Sequence, residues 1–112
     1  MESINVAVVR GVVAGGPRTR QLPSGSFVTQ FDVSSCGGGS PASVPISVHA
    51  HTVDAVAGDE VVVTGHVSRR FFRVGGLTQS RTEVVANAVI RVSRKKAVER
   101  ALASVVEVLS PI

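Results

Sequence analysis

The stretch Glu60-Val-Val-Val-Thr-Gly-His-Val-Ser-Arg-Arg-Phe-Phe-Arg73 decides the class of fold. Its run of valines favours extended backbone, and with a period of two it divides into two faces. Val61, Val63, Val67 and Phe71 share one face, which is expected to enter a core until Arg69 and Arg73 bring it to a rim. Thr64, His66, Ser68, Arg70 and Phe72 share the other, which is wet, basic and carries a ring.

The same reading extends in both directions along the chain. Downstream, a glycine-containing loop over residues 74–80 leads to a further strand over 82–92. Upstream, residues 4–13 alternate as a first strand, interrupted by Gly11, where a glycine marks a bulge or sharp bend. A basic loop, Gly15-Gly-Pro-Arg-Thr-Arg-Gln21, and the turn Leu22-Pro-Ser-Gly25 follow. Residues 27–34 form a second strand with Phe27, Thr29, Phe31 and Val33 on one face, so that Phe27 and Phe31 are expected in the core. After the flexible loop Cys36-Gly-Gly-Gly-Ser-Pro41, residues 44–51 form a third strand. Val44, Ile46, Val48 and Ala50 point inward there, and Ser47, His49 and His51 outward. Pro45 suits an edge or the start of pairing. Residues 52–59 have room for about one or two helical turns. Five strands joined by local turns, with no alternation of strand and helix, imply an all-β barrel or sandwich.

From Arg94 the period becomes helical: Val98, Leu102, Val105 and Leu109 recur at spacings of four, three and four. Ser93 is the expected N-cap, Lys95 and Lys96 fall in a first turn whose dipole disfavours cations, and Ser110-Pro111 ends the helix. The apolar stripe faces either the barrel or a second copy of the chain. Residues 1–93 are thus expected to form one domain and 94–112 an appended amphipathic helix.

At 112 residues and 44% hydrophobic content the chain suffices for one core. No apolar run approaches the roughly 18 residues of a membrane span, and Met1-Glu-Ser-Ile-Asn5 lacks a signal-peptide pattern. One cysteine, Cys36, excludes an internal disulfide, so the expected compartment is the cytoplasm, at the nucleoid. Twelve Lys and Arg against eight Asp and Glu give a net charge of +4. Nine of the twelve lie between Arg69 and Arg100, and ten of the twelve are arginine, the residue suited to forked phosphate contacts and to stacking on bases. That clustering favours a polyanionic partner; scattered surface charge is the competing reading.

Three basic groups are candidates for one phosphate track: Arg18 and Arg20, then Arg69, Arg70, Arg73 and Arg81, then Arg91, Arg94, Lys95 and Lys96. With exposed rings they supply what a single-stranded nucleic acid requires, guanidinium groups for phosphates and flat apolar surfaces for unpaired bases. His49, His51 and His66 lack carboxylate or thiolate companions at metal-ligand spacing. Stacking imidazoles are the better reading, and neither metal nor cofactor is expected. Cys36 has no histidine partner nearby, no Ser-His-Asp order or carboxylate pair stands out, and Gly37–Gly39 lack the Lys-Ser/Thr of a phosphate loop. Catalysis has no positive support.

Arg10-Gly-Val-Val13, Pro17-Arg-Thr-Arg-Gln-Leu-Pro-Ser-Gly25 and Phe31-Asp-Val33 resemble the opening of the bacterial single-stranded DNA-binding protein family. The Ala57-Gly-Asp59 approach to the fourth strand, that strand up to Phe72, and Thr82-Glu-Val-Val-Ala-Asn87 are similar to its second half. The resemblance spans residues 4–92 in order. It implies a five-stranded OB-fold barrel that binds single-stranded DNA non-specifically and assembles as a homodimer or homotetramer, in replication, repair or recombination. It also implies a stacking role for Phe72, with Phe71 a lesser candidate and His49 and His51 where the family often has an aromatic. Phe31 matches a core position. The chain departs from the pattern in three ways: the segment between strands three and four is short, Trp and Tyr are absent, and a basic amphipathic helix stands where the family carries an acidic tail. Recruitment of partners through such a tail is not expected. An RNA-binding groove, or an assembly module akin to the primosomal replication proteins, are the alternatives.

Overall fold

In a computed structural model, which describes residues 3–110, the valine-rich segments pair as strands and the final segment coils as a helix. The elements are β1 (Ala7–Gln21), β2 (Phe27–Ser35), β3 (Ala42–Val48), β4 (Glu60–Val74), β5 (Leu77–Arg91) and α1 (Lys95–Leu109). The strands close into a barrel in the order β1-β2-β3-β5-β4. Neighbours run antiparallel except β3 and β5, which meet in parallel at Ile46–Val84 and Ser47–Val85.

Inward-pointing residues from all five strands fill the barrel: Val13, Phe31, Val33, Ile46, Val61, Val63 and Val84, with Ala55 closing one end. Burying such side chains contributes roughly 1.5–3 kcal/mol each before entropy is counted. Phe31, Val61 and Val63 therefore sit as their alternation predicts. Val67 and Phe71, assigned by the same alternation to the core, do not: both are exposed. The reason lies in where β4 loses its second neighbour. Pairing with β1 ends at Ala7–Gly65, while pairing with β5 continues to Val74–Leu77 after a register shift between Thr64 and Gly65. Beyond that point β4 has only β5 beside it, and once β5 also leaves β3, at Val84, the two strands run on as an arm, a ribbon that has no interior. The arm closes through Gly75 and Gly76, both at positive φ, as a two-residue hairpin turn demands.

The side chain of Asn5 secures the base of the arm as a missing strand would. Its Nδ2 donates to the Val67 carbonyl (2.8 Å), and its Oδ1 accepts from the Val67 N–H (3.0 Å).

β1 is longer than its hydrophobic pattern indicates. The basic segment expected as a loop is strand, because Arg18–Gln21 pair with Gln30–Phe27 after an irregularity between Ala14 and Arg18. Gly11 is not a bulge, since it keeps register with Val61. Here β1 passes from β4 to β2, and a Cβ would run into the Ser34 carbonyl of β2. The turn at Leu22–Gly25 forms as expected, with the Gly25 N–H donating to the Leu22 carbonyl (2.9 Å). Pro45 lies opposite Asp32, one residue before the β3–β5 ladder begins, where its missing N–H costs nothing.

Residues 52–59 are irregular, with a turn at Ala57–Gly58, rather than a helix. Their C-terminal end is tied to Val13, whose N–H donates to the Asp59 carbonyl (2.9 Å) and whose carbonyl accepts from the Gly58 N–H (2.8 Å). The one buried side chain, Ala55, is too small to need a helix behind it.

α1 starts one residue later than expected. Arg94, not Ser93, occupies the N-cap position, and no side chain caps the helix. Its expected stripe divides. Val98 and Val105, with Ala97 and Ala101, are half-buried, whereas Leu102, Val106 and Leu109 are exposed. The helix rests on β4 and β5. Ser110 closes it, and Pro111 lies outside the described residues, as do Met1 and Glu2. Among the described residues no helix is long and apolar enough to cross a membrane.

Candidate nucleic-acid interface

The outer face of β1, β2 and β3 runs without interruption onto one side of the β4–β5 arm. Cross-strand register aligns Arg18 with Gln30, Gln30 with Ser47, and Ser47 with Val85, while Arg20 lies opposite Val28. On the arm, Ser68 faces Glu83, Arg70 faces Arg81, and Phe72 faces Gln79. Directly opposed residues project to the same side, so these side chains line one groove.

Two clefts occupy the groove and meet at Gln30. One, of about 190 Å³, is bordered by Arg20, Leu22, His49, Ser68, Arg70 and Glu83. The other, of about 370 Å³, is bordered by Gly15, Gly16, Arg18, Asp32 and Arg81. The floor holds Val28 and Ser47, both buried although their strand positions face outward, because the arm folds over them. Beyond the clefts the same side of the arm bears Phe72, 39% exposed, and then Val74 and Leu77 at the tip, both exposed.

The electrostatics centre on Glu83. Arg70 and Arg81 lie directly opposite one another, a like-charge pair that would repel. The Glu83 carboxylate, with only 5% of its side chain exposed, sits between them. Its Oε2 accepts from Arg81 Nε (3.1 Å), and its Oε1 lies 3.3 Å from Arg70 Nε.

The opposite side of the arm carries a different set. The Arg69 guanidinium stands 5.0 Å over the centre of the Phe71 ring and donates to Ser80 Oγ (3.2 Å). Arg73 donates to the Gly76 carbonyl (3.0 Å), bracing the turn. Phe71 is thus not core but a 64% exposed ring on the back of the arm, partly covered by a cation.

The two candidate imidazoles of the third strand diverge. His49 borders the groove. His51 lies beyond the end of β3, with its ring edge-on to Phe27 (centroids 4.5 Å apart, planes at 80°) and its carbonyl accepting from Thr19 Oγ1 (3.2 Å). This contact also explains why Phe27 is only half-buried: it packs at the barrel's end, not inside it. His66 borders a separate cleft beneath α1, together with Thr64, Asn87 and Val105. Among the described residues no three His, Cys, Asp or Glu side chains are grouped to hold a metal. Cys36 is an exposed free thiol in its loop.

The late basic group also stands apart. Arg91 and Arg94 both reach Asp54 at 3.4 Å. Lys95, Lys96 and Arg100 border a shallow basin at the start of α1 that shares no residue with the groove. The structure therefore unites Arg18, Arg20, Arg70 and Arg81 with Phe72 and His49, and places Arg69, Arg73, Arg94, Lys95, Lys96, Phe71 and His51 elsewhere. Glu83 is the residue that sequence reasoning passed over. Its signal was present, two residues from Arg81 on one strand face, but its relation to Arg70 depends on the hairpin register.

No family model matches the chain, and no curated protein matches it. Among solved structures it is similar to the Plasmodium falciparum SSB in complex with ssDNA, with a TM-score of 0.68 and 18% identity, over 81% of this chain and 96% of that one. The likeness bears on backbone architecture, and it shows the fold: a five-stranded OB barrel followed by a C-terminal helix.

Proposed function

We propose that the chain binds single-stranded DNA without strong sequence preference, through the groove between the β1–β2–β3 face and the β4–β5 arm. The observation that carries this reading is the alignment of Arg18, Arg20, Arg70 and Arg81 along one groove that ends on the exposed ring of Phe72. Guanidinium groups at intervals hold successive phosphates, and an open ring accepts an unpaired base on its face. Contacts of these two kinds go to the backbone and to the face of a base rather than to base edges, so they carry little sequence preference. The likeness to a structure solved with ssDNA supports the same reading. The processes proposed to use it are replication, repair or recombination, and the role proposed is binding rather than catalysis.

Self-association accompanies this function. Leu102, Val106 and Leu109 form an exposed apolar stripe on α1, and Val8 and Val12 another on β1. Apolar patches of this kind are covered in oligomers.

The test is fluorescence anisotropy of labelled oligo-dT, a duplex of equal length and oligo-U, at low and moderate salt. Tight, salt-sensitive binding of oligo-dT over duplex supports the reading. Equal binding of duplex removes the groove as a single-strand site, and preference for oligo-U shifts the ligand to RNA.

A further inference from the structure

The groove's two opposed arginines already have an anion. We propose that Glu83 is a built-in counter-anion of the groove, a carboxylate that competes with nucleic-acid phosphate for Arg70 and Arg81 and so holds down affinity for the single strand. This inference rests on the groove's being the single-strand site.

Three observations carry it. Glu83 lies between the two guanidinium groups, with one carboxylate oxygen directed at each Nε. The carboxylate is buried beneath them, so water screens it poorly and its field acts on the groove above. Both arginines remain more than a third exposed, at 45% and 37% of their side chains. They are thus fastened by Nε on the inner side and accessible from the outer, which is where a phosphate arrives. A phosphate that bridges them stands next to the same carboxylate and is repelled by it. Glu83 also relieves the repulsion between Arg70 and Arg81, and so keeps both in place in the absence of ligand. These two effects oppose one another. The buried carboxylate repels a phosphate held by its own arginines with little screening, while the ordering of two solvent-exposed guanidinium groups is worth less. Removing the charge should therefore strengthen binding.

The experiment compares wild type with Glu83→Gln, which keeps the side-chain shape and removes the charge. By anisotropy with labelled oligo-dT at low salt, Glu83→Gln is expected to bind about tenfold more tightly, or about 1.4 kcal/mol. The slope of log K against log salt should steepen by about 0.7, the increment for one further single-strand phosphate. Glu107→Gln on α1 makes the same change in net charge away from the groove and should stay within about twofold of wild type. In an Arg70→Gln, Arg81→Gln background no phosphate is held beside the carboxylate, so the gain from Glu83→Gln should fall to within about twofold, and a full-sized gain there overturns the proposal. Unchanged or weaker binding by a natively folded Glu83→Gln overturns the proposal, as does an equal gain from Glu107→Gln. Should Glu83→Gln fail to fold, Glu83→Thr removes the same charge with a strand-favouring residue and is held to the same expectation. If wild type and both neutral variants all ignore oligo-dT at low salt, the single-strand reading itself fails. If wild type binds and the neutral variants do not exceed it, only the role of Glu83 fails.

Discussion

Phe71 and Phe72 are adjacent, chemically identical and on opposite sides of a two-stranded arm, so replacing each in turn isolates the effect of facing the groove. In Phe72→Ala the ring on the groove side is removed. Base–aromatic stacking is worth about 1–3 kcal/mol per base. Phe72 is 39% exposed, so part of its surface is already covered, which argues for the lower half of that range. A loss of about 1–2 kcal/mol corresponds to a weakening of roughly 5- to 30-fold. Phe71→Ala removes a ring that is more exposed, at 64%, but lies on the reverse side beneath Arg69. Its affinity should stay within about twofold of wild type. Neither substitution touches the core, since the arm beyond Val84 contributes nothing to the barrel's interior. The melting temperature should therefore move by only a few degrees in either variant, as expected for a change under about 1 kcal/mol. Anisotropy with oligo-dT gives the affinities and circular dichroism gives the melting curves. Equal affinity in Phe72→Ala and wild type removes the ring from the site. A loss in Phe71→Ala as large as that in Phe72→Ala refutes the assignment of faces on the arm.

Other consequences follow from the same geometry. Four groove arginines, two of them sharing Glu83, imply about three to four neutralised phosphates and a slope of log K against log salt near −2 to −3; a slope near zero would contradict the phosphate track. Lys95→Gln with Lys96→Gln, in the basin at the start of α1, should change that slope by less than the increment for one phosphate, whereas Arg18→Gln with Arg20→Gln should flatten it by more. Ile46→Ala empties a fully buried site at the centre of the barrel and should cost about 2–5 kcal/mol, measured by urea denaturation. A cost below about 1 kcal/mol would place Ile46 outside the core.

Much of the barrel was legible in the chain because a strand's two faces are written in alternate residues. Val61, Val63, Phe31, Val33 and Ile46 could be assigned to the interior from neighbours one or two positions away. The same local rule failed at Val67 and Phe71, where the pattern continues but the barrel does not. Alternation records which side a residue faces, not whether anything lies on that side. The arginine-rich loop likewise reads as loop by composition. It is strand because β2 offers a partner ladder after the irregularity at Ala14–Arg18, and the availability of that ladder is a long-range fact.

The candidate site divides in the same way. That arginines and a ring would meet near the end of β4 was contained in the sequence, since Arg70 and Phe72 are two residues apart on one strand and therefore on one side. Which other cations join them was not. Arg18 and Arg20 enter the groove through the β1–β2–β3 register, Arg94 is drawn to Asp54, and Glu83 meets Arg70 only because the hairpin pairs Ser68 with Glu83. Side-chain alternation and helical periodicity are local, set by backbone geometry within a few residues, and these the chain by itself determined. The register between strands, the closure of the barrel and the point at which the arm leaves it arise from packing among residues up to sixty positions apart. Those the tertiary structure alone decided, and with them the line between groove, back face and helix basin.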